Sequence, residues 1–403
     1  MMSQNETGRD TTSIMLTLIR GAHVLAPEDM GIQDVLVAGD TILETGRDIR
    51  LSGNVAIEEI DGSGHYLTPG LVDTLSHIIG GGGEGGFHTR TPAMNFSDAI
   101  RGGVTTVTGV LGTDAISRTL PDLLAKAAGL EAEGLSVVCH TGSYQVPVRT
   151  LTGSIQQDIM LIEKFVGVGE VAISDHRGSQ PDWREMARIG AEARVGGLLS
   201  GKAGVVSIHV GDSEDRLDLL FEVAEKSDVP LGQYYPTHIN RSTALLDAGL
   251  RFIQGGGTID LTASHTPEIL AAGEIKCASA LRYLLDHGAD ENRITFSTDG
   301  HASLPHFNSD GVLESLKVGA MTSMLEEFRD AVFEDGVSLT RALKAVTTNP
   351  ARVLKLPNKG AIASGKDADL LLLDQDSLTL THVMARGRWC MESQEITRKG
   401  TFE

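Results

Sequence analysis

The chain is poor in positive charge. Its 403 residues carry 34 Lys and Arg against 54 Asp and Glu, a formal net charge of −20. Binding along a phosphate backbone or an anionic membrane needs a basic footprint, so this balance excludes nucleic acid and membrane surfaces as main partners. It leaves room for a small anionic ligand held by a few arginines. Cysteine is scarce too. Cys139, Cys277 and Cys390 are odd in number and far apart. That excludes a disulfide framework or a CxxC zinc site and fits a reducing compartment. No run of about 18 apolar residues occurs, so no membrane span is expected. The opening residues M-M-S-Q-N-E-T-G-R-D-T-T-S contain no apolar core of a signal peptide, and a soluble, cytoplasmic protein is expected.

What is present is a globular composition, 41 % hydrophobic, with a change of pattern along the chain. Residues 1–13 read as a disordered tail. Over 14–66, short β-like runs such as Asp34-Val35-Leu36-Val37-Ala38 alternate with turns, Gly39-Asp40 being a hairpin signal. Over 67–351, short apolar segments alternate with helical ones. The strand candidates are Gly70–Leu75, Val104–Val110, Ser136–His140, Glu170–Ser174, Val205–Val210, Gly232–Thr237, Thr258–Thr262 and Ile294–Ser297. Leu120–Glu133, Asp215–Ser227 and Ala278–Gly288 are the clearest helices between them. Eight strand–helix units predict an α/β fold, a (β/α)8 TIM barrel. A doubly wound sheet is the rival, but no Gly-x-Gly-x-x-Gly follows the first strand. Helices are expected to stop near Thr348-Asn349-Pro350. Over 352–403 the pattern returns to β-like runs, so both chain ends are expected to build one small β-sandwich domain around the inserted barrel.

Active sites of such barrels lie at the carboxyl ends of the strands. His77, Glu170, His209, His238 and Asp299 come from five strands and converge on one axis. Imidazole and carboxylate are the ligands of catalytic zinc, so this set predicts a metal hydrolase. Arg177 and Arg241 follow strands four and six on the same rim, and guanidinium binds carboxylate in a bidentate fork. Glu84 closes the loop Gly80-Gly81-Gly82-Gly83, whose backbone N–H groups can approach a ligand closely, and it suits a substrate ammonium. An ammonium, two carboxylates and a scissile amide describe a small acidic dipeptide.

Several motifs carry a family likeness: I-G-G-G-G-E at 79–84, L-G-T-D-A-I-S-R at 111–118, A-I-S-D-H-R at 172–177, R-V-G-G-L-L at 194–199, P-T-H-I-N-R at 236–241 and G-K-D-A-D-L-L at 365–371. Through them the chain resembles the isoaspartyl (β-aspartyl) dipeptidases of the amidohydrolase superfamily over nearly its whole length. The resemblance implies a barrel with a β-sandwich domain, zinc as cofactor and a homo-oligomer, an octamer in that family. It places metal ligands on His77, Glu170, His209, His238 and Asp299, with Asp299 as the catalytic acid–base. Substrate contacts fall on Gly82, Glu84, Thr113, Tyr144, Arg177, Arg241 and Ser303, and the Tyr144 hydroxyl is expected to hold the developing oxyanion.

Two positions depart from that family. Its His-x-His reads Leu75-Ser76-His77 here, and its metal-bridging carboxylated lysine is replaced by Glu170. Leucine cannot ligate a metal. The surviving residues divide into His77, Glu170 and Asp299 on one side and Glu170, His209 and His238 on the other. Each set is enough for one zinc, so one or two ions are expected. His140, His265 and His301 are the candidates to replace the missing ligand. The expected function is metal-dependent hydrolysis of the β-aspartyl amide bond of small acidic dipeptides. The alternatives are a divergent amidohydrolase with a one-metal centre acting on a related acidic amide or N-acyl compound, and a paralogue that binds without turnover.

Overall fold

The computed structural model describes residues 16–52, 56–307 and 313–403; the tail expected over 1–13 lies outside them. Eight parallel strands form the barrel: Leu71–Ser76, Val104–Gly109, Ser136–Thr141, Phe165–Ile173, Val205–Val210, Tyr234–Thr237, Ile259–Thr262 and Ile294–Ser297. All eight match expected segments. The first six pair in sequence order and the last two pair with each other. A parallel bridge between Ser76 and Gly300 joins the exit of strand eight to strand one.

Strands six and seven share no backbone ladder among the described residues, and a side chain joins them instead. Asp260, on strand seven, accepts hydrogen bonds from Thr237 Oγ1 at 2.7 Å and Tyr235 Oη at 3.1 Å on strand six. It also accepts from Thr295 Oγ1 at 2.6 Å and Ser297 Oγ at 2.5 Å on strand eight. Burial pushes the Asp260 carboxyl up to about 7, although the hydroxyls of Ser297, Thr295 and Thr237 offset part of the cost. An unfolded aspartate titrates near about 3.9. Between these values the folded state holds the proton more tightly than the unfolded one, so this group's contribution to stability falls as pH rises. Wild type is therefore expected to lose stability relative to Asp260→Asn between about pH 4 and pH 7, on the order of 1 kcal/mol per pH unit. Denaturant midpoints of the two proteins across that range check it, and parallel midpoints contradict it.

The fourth strand begins at Phe165, five residues before the expected start at Glu170. Gly167 and Gly169 interrupt its apolar run, and glycine in a strand reads as a break. Here the glycines allow close approach: a Cβ on Gly167 would sit 2.6 Å from the Val205 carbonyl oxygen, and one on Gly169 2.4 Å from that of Ser207. The helix Leu120–Glu133 has the expected bounds, set by the Thr119 side chain capping its start and Gly134 ending it. Helices Asp218–Lys226 and Cys277–Asp286 shorten or shift their expected spans slightly.

The expectation that helices stop near Thr348 is corrected by a further short helix, Thr348–Val353. Its Pro350 lies in the first turn, where no intrahelical N–H donor is needed. An antiparallel hairpin of Ser303–Phe307 and Leu313–Val318, not anticipated from the sequence, follows strand eight.

Both chain ends share one nine-stranded sheet. Strand His65–Pro69 pairs antiparallel with Leu370–Asp374 and parallel with Leu16–Leu25. Leu67, Leu370, Leu372, Val35, Val37 and Ile42 are fully or almost fully buried in its own apolar cluster. Leu71, on the first barrel strand, belongs to the separate, larger core formed between barrel and helices. Among the described residues no helix is long and apolar enough to cross a membrane.

Candidate active site

The strand ends bring the five predicted ligands together. His77 follows strand one, Glu170 lies within strand four, His209 within strand five, and His238 and Asp299 just beyond strands six and eight. All five are buried. Glu170 is at the centre. Its Oε1 lies 3.4 Å from His209 Nδ1 and 3.6 Å from His238 Nε2, while its Oε2 lies 3.6 Å from His77 Nε2. His77 Nε2 is in turn 3.2 Å from Asp299 Oδ1. His238 and Asp299 hold left-handed backbone conformations, φ 65° and 49°, which non-glycine residues adopt mainly where surrounding structure enforces them.

These groups fit a divalent cation. Both Glu170 oxygens and Asp299 Oδ1 are buried without a hydrogen-bond donor, and an orphaned buried carboxylate is costly unless a cation answers it. Ligand atoms of Glu170, His209 and His238 all lie within 4.8 Å of one another. Burial alone would raise the Glu170 carboxyl, but the imidazoles of His209, His238 and His77 more than reverse this and hold it well below the usual range. Burial, Arg241 and His209 push His238 down to about 4, leaving the neutral imidazole that ligation requires.

Outer partners fix the rings. His209 Nε2 faces Asp175 Oδ2 at 3.0 Å, and His238 Nδ1 faces Thr262 Oγ1 at 2.6 Å. Such contacts select the tautomer and aim the other nitrogen inward. No ligand role was expected for Asp175 or Thr262. Asp175 is visible within A-I-S-D-H-R, but Thr262 carries no sequence signal. Tyr144 Oη also contacts His209 Nδ1, at 2.7 Å. Burial and then Glu170 raise its phenol well above the ordinary value, so it stays protonated as a donor.

Leu75 is 1 % exposed and supplies no ligand atom, and none of the three candidate histidines joins the Glu170, His209 and His238 group. His140 is fully buried with neither ring nitrogen hydrogen-bonded, and burial lowers it to about 4. His301 Nδ1 contacts the Pro92 carbonyl at 3.1 Å, and its Nε2 is 3.4 Å from Asp98. His265 pairs with Glu274.

Above the cluster opens a cavity of about 760 Å³, lined by His77, Glu84, Thr113, Tyr144, Arg177, His209, His238, Arg241, Asp299 and Ser303 among others. Glu84 Oε1 accepts from Thr113 Oγ1 at 2.7 Å and lies 3.5 Å from Arg177 Nη1. The rest of the Arg177 fork is taken by Asp175, with Nε at 3.0 Å and Nη2 at 2.6 Å. Arg241 is 3.5 Å from Asp212, whose side chain is 85 % exposed, so its guanidinium is the less committed of the two.

The glycine loop is held from behind by Arg118. Its guanidinium donates to the Ile79, Thr91 and Gly82 carbonyls at 3.2, 3.3 and 3.4 Å. A side chain at Gly82 (φ +69°) would place Cβ 2.7 Å from that of Ser303, so only glycine lets this loop lie against the hairpin.

The chain is similar to several known proteins. A model of the amidohydrolase family matches residues 66–390. A crystal structure of a β-aspartyl dipeptidase from Fervidobacterium islandicum AW-1, in complex with β-Asp-Leu, is 45 % identical, covers 96 % of this chain and all of its own, and superposes with a TM-score of 0.89. Curated relatives are more distant. A dihydroorotase of Halobacterium salinarum is 25 % identical, spanning 86 % of this chain and 88 % of its own. An allantoinase of Escherichia coli is 22 % identical over 89 % and 86 %.

Proposed function

This chain belongs to the amidohydrolase family, and from that premise we propose that it hydrolyses the β-aspartyl amide bond of small acidic dipeptides. One observation carries the reading: a buried Glu170, His209 and His238 cluster lies at the floor of a cavity whose rim presents Glu84 beside Arg177 and Arg241. Zinc is the ion these nitrogen and oxygen donors suit, held by Glu170, His209 and His238, with His77, Asp299 and Glu170 as a second set. When bound, such an ion supplies Lewis acidity and makes water a stronger acid.

The chain's own groups do the rest. In a β-aspartyl peptide the ammonium and a carboxylate share one carbon, a methylene away from the scissile carbonyl. Glu84 binds the ammonium, steadied by the Thr113 hydroxyl. Arg241 binds a carboxylate, and Arg177 offers Nη1, the part of its fork that Asp175 leaves free. Gly82 and Ser303 fix the loop and hairpin between which the substrate lies. Asp299 takes a proton from the attacking water at Oδ1 and returns it to the leaving amine. Tyr144 Oη donates to the oxyanion as it develops. The scarcity of cysteine, with all three thiols free and buried, supports action in the cytoplasm. An oligomeric assembly rests on the family resemblance alone.

An α-aspartyl peptide separates the paired charges differently and leaves either Glu84 or Arg241 unanswered. Sites built around such contacts reject analogues that lack them, so kcat/KM for β-Asp-Leu is expected to exceed that for α-Asp-Leu by at least about 100-fold. Glu84→Gln is expected to lower kcat/KM for the β isomer about 10–100-fold, mainly through KM. Equal rates on the two isomers, or hydrolysis of a cyclic amide such as dihydroorotate in place of both, would overturn the assignment.

A further inference from the structure

A second cluster of metal-capable groups lies behind the cavity wall and shares no residue with the first. His265 follows strand seven, Cys277 opens the helix Cys277–Asp286, and Glu327 lies on the helix Ser323–Phe333. Their ligand atoms all lie within 4.8 Å of one another. Cys277 is fully buried, and the side chains of His265 and Glu327 are 6 % and 7 % exposed.

The polar accounting of this cluster does not close. His265 Nδ1 contacts Glu274 Oε1 at 2.7 Å. With a proton on Nδ1, the tautomer that this contact selects, Nε2 carries a lone pair. That nitrogen is buried without a hydrogen-bond partner, and it faces another acceptor, Glu327 Oε1, at 3.8 Å. Glu327 Oε2 is already occupied by the Ala278 backbone N–H at 2.9 Å. The adjacent cation, Lys276, is committed elsewhere, to Asp330 at 2.6 Å and Glu334 at 3.3 Å. Two carboxylates, an imidazole lone pair and a thiol thus converge with no positive charge of their own. A carboxylate on the far nitrogen of a histidine is also the usual outer partner of a metal-ligating imidazole.

We propose that His265 Nε2, Cys277 Sγ and Glu327 Oε1 form a second site for a borderline-soft divalent cation of the zinc type, with Glu274 orienting His265. The mixture of nitrogen, sulfur and oxygen donors favours such an ion over magnesium or calcium. Binding releases the Cys277 proton to solvent and leaves a fourth position for water. The ion ties three segments together. Glu268, Ile269, Ala272 and Glu274, between His265 and Cys277, line the catalytic cavity. The site therefore braces that wall, and it does so whatever the substrate.

Cobalt substitution tests this directly, because the Glu170 cluster contains no sulfur. In the full-length protein loaded with cobalt alone, a cobalt–thiolate charge-transfer band in the near ultraviolet is expected, its full intensity corresponding to one thiolate-bound cobalt per chain beside the cobalt held at the Glu170 cluster. It is expected to persist in Glu170→Gln and to vanish in Cys277→Ser. His265→Gln keeps the thiol, and so stands as the test if Cys277→Ser does not fold; it is expected to weaken cobalt binding at this band at least tenfold. No band in wild type at saturating cobalt, a band that survives in Cys277→Ser, or unchanged affinity in His265→Gln would each overturn the proposal.

Discussion

Asp299→Asn is expected to lower kcat on β-Asp-Leu by about 10³–10⁴-fold, in the upper range for loss of a positioned acid–base group, with KM within a few-fold of wild type. Asparagine keeps the shape and one carbonyl oxygen of the side chain but cannot accept and return a proton. The setting of Asp299 supports this division of effects. Burial alone would raise its carboxyl, but the His77 contact at 3.2 Å more than reverses that and keeps it ionised as a base. Its left-handed backbone, φ 49°, is one that asparagine tolerates as well as aspartate does, so the fold is expected to survive the change. Single-turnover and steady-state rates on the purified variant, with its unfolding midpoint as control, provide the check. A kcat within about tenfold of wild type would remove Asp299 from the role of proton carrier, because general acid–base catalysis typically contributes 10²–10⁴.

Much of this site was legible in the sequence because barrel strands are short and their ends are where polar residues interrupt apolar runs. His209, His238 and Asp299 stand at such interruptions, and the structure brings the two histidines within reach of Glu170 and Asp299 within reach of His77. What stayed hidden depends on contacts distant in sequence or on glycine. Strand four begins at Phe165 and not at the expected Glu170, because Gly167 and Gly169, which look like breaks, lie against the backbone of strand five. The link from strand six to strand seven runs through one carboxylate, Asp260, and no local pattern announces it. Arg177 was legible as a carboxylate binder, but not the fact that Asp175, two residues before it, holds most of its fork. Likewise His265, a candidate from the sequence to replace the missing ligand of the catalytic cluster, turns toward Glu274 and Cys277 instead.

The second large effect concerns Glu170. Its two oxygens face opposite ways, Oε1 toward His209 and His238 and Oε2 toward His77, so one side chain serves both ligand sets. On the proposed reading Glu170 would stand in for the longer bridging group of the resembled family, with three donors left to each set although Leu75 supplies none. Glu170→Gln replaces one oxygen with an amide nitrogen that cannot ligate and removes the charge. Changing only the outer partners of a metal site costs about 10–100-fold in affinity, so loss of this shared ligand is expected to cost more than about 100-fold. Turnover is expected to fall with it. The direct measurement is zinc bound per chain, taken together with kcat on β-Asp-Leu, in wild type and Glu170→Gln after removal of metal and titration back with zinc. The account predicts that wild type regains its full zinc complement and turnover, while Glu170→Gln, at the same zinc concentration, regains no turnover and lacks the zinc of the Glu170 cluster, keeping only the ion held at Cys277. Turnover by metal-free wild type, or full recovery of both quantities in Glu170→Gln, would contradict it.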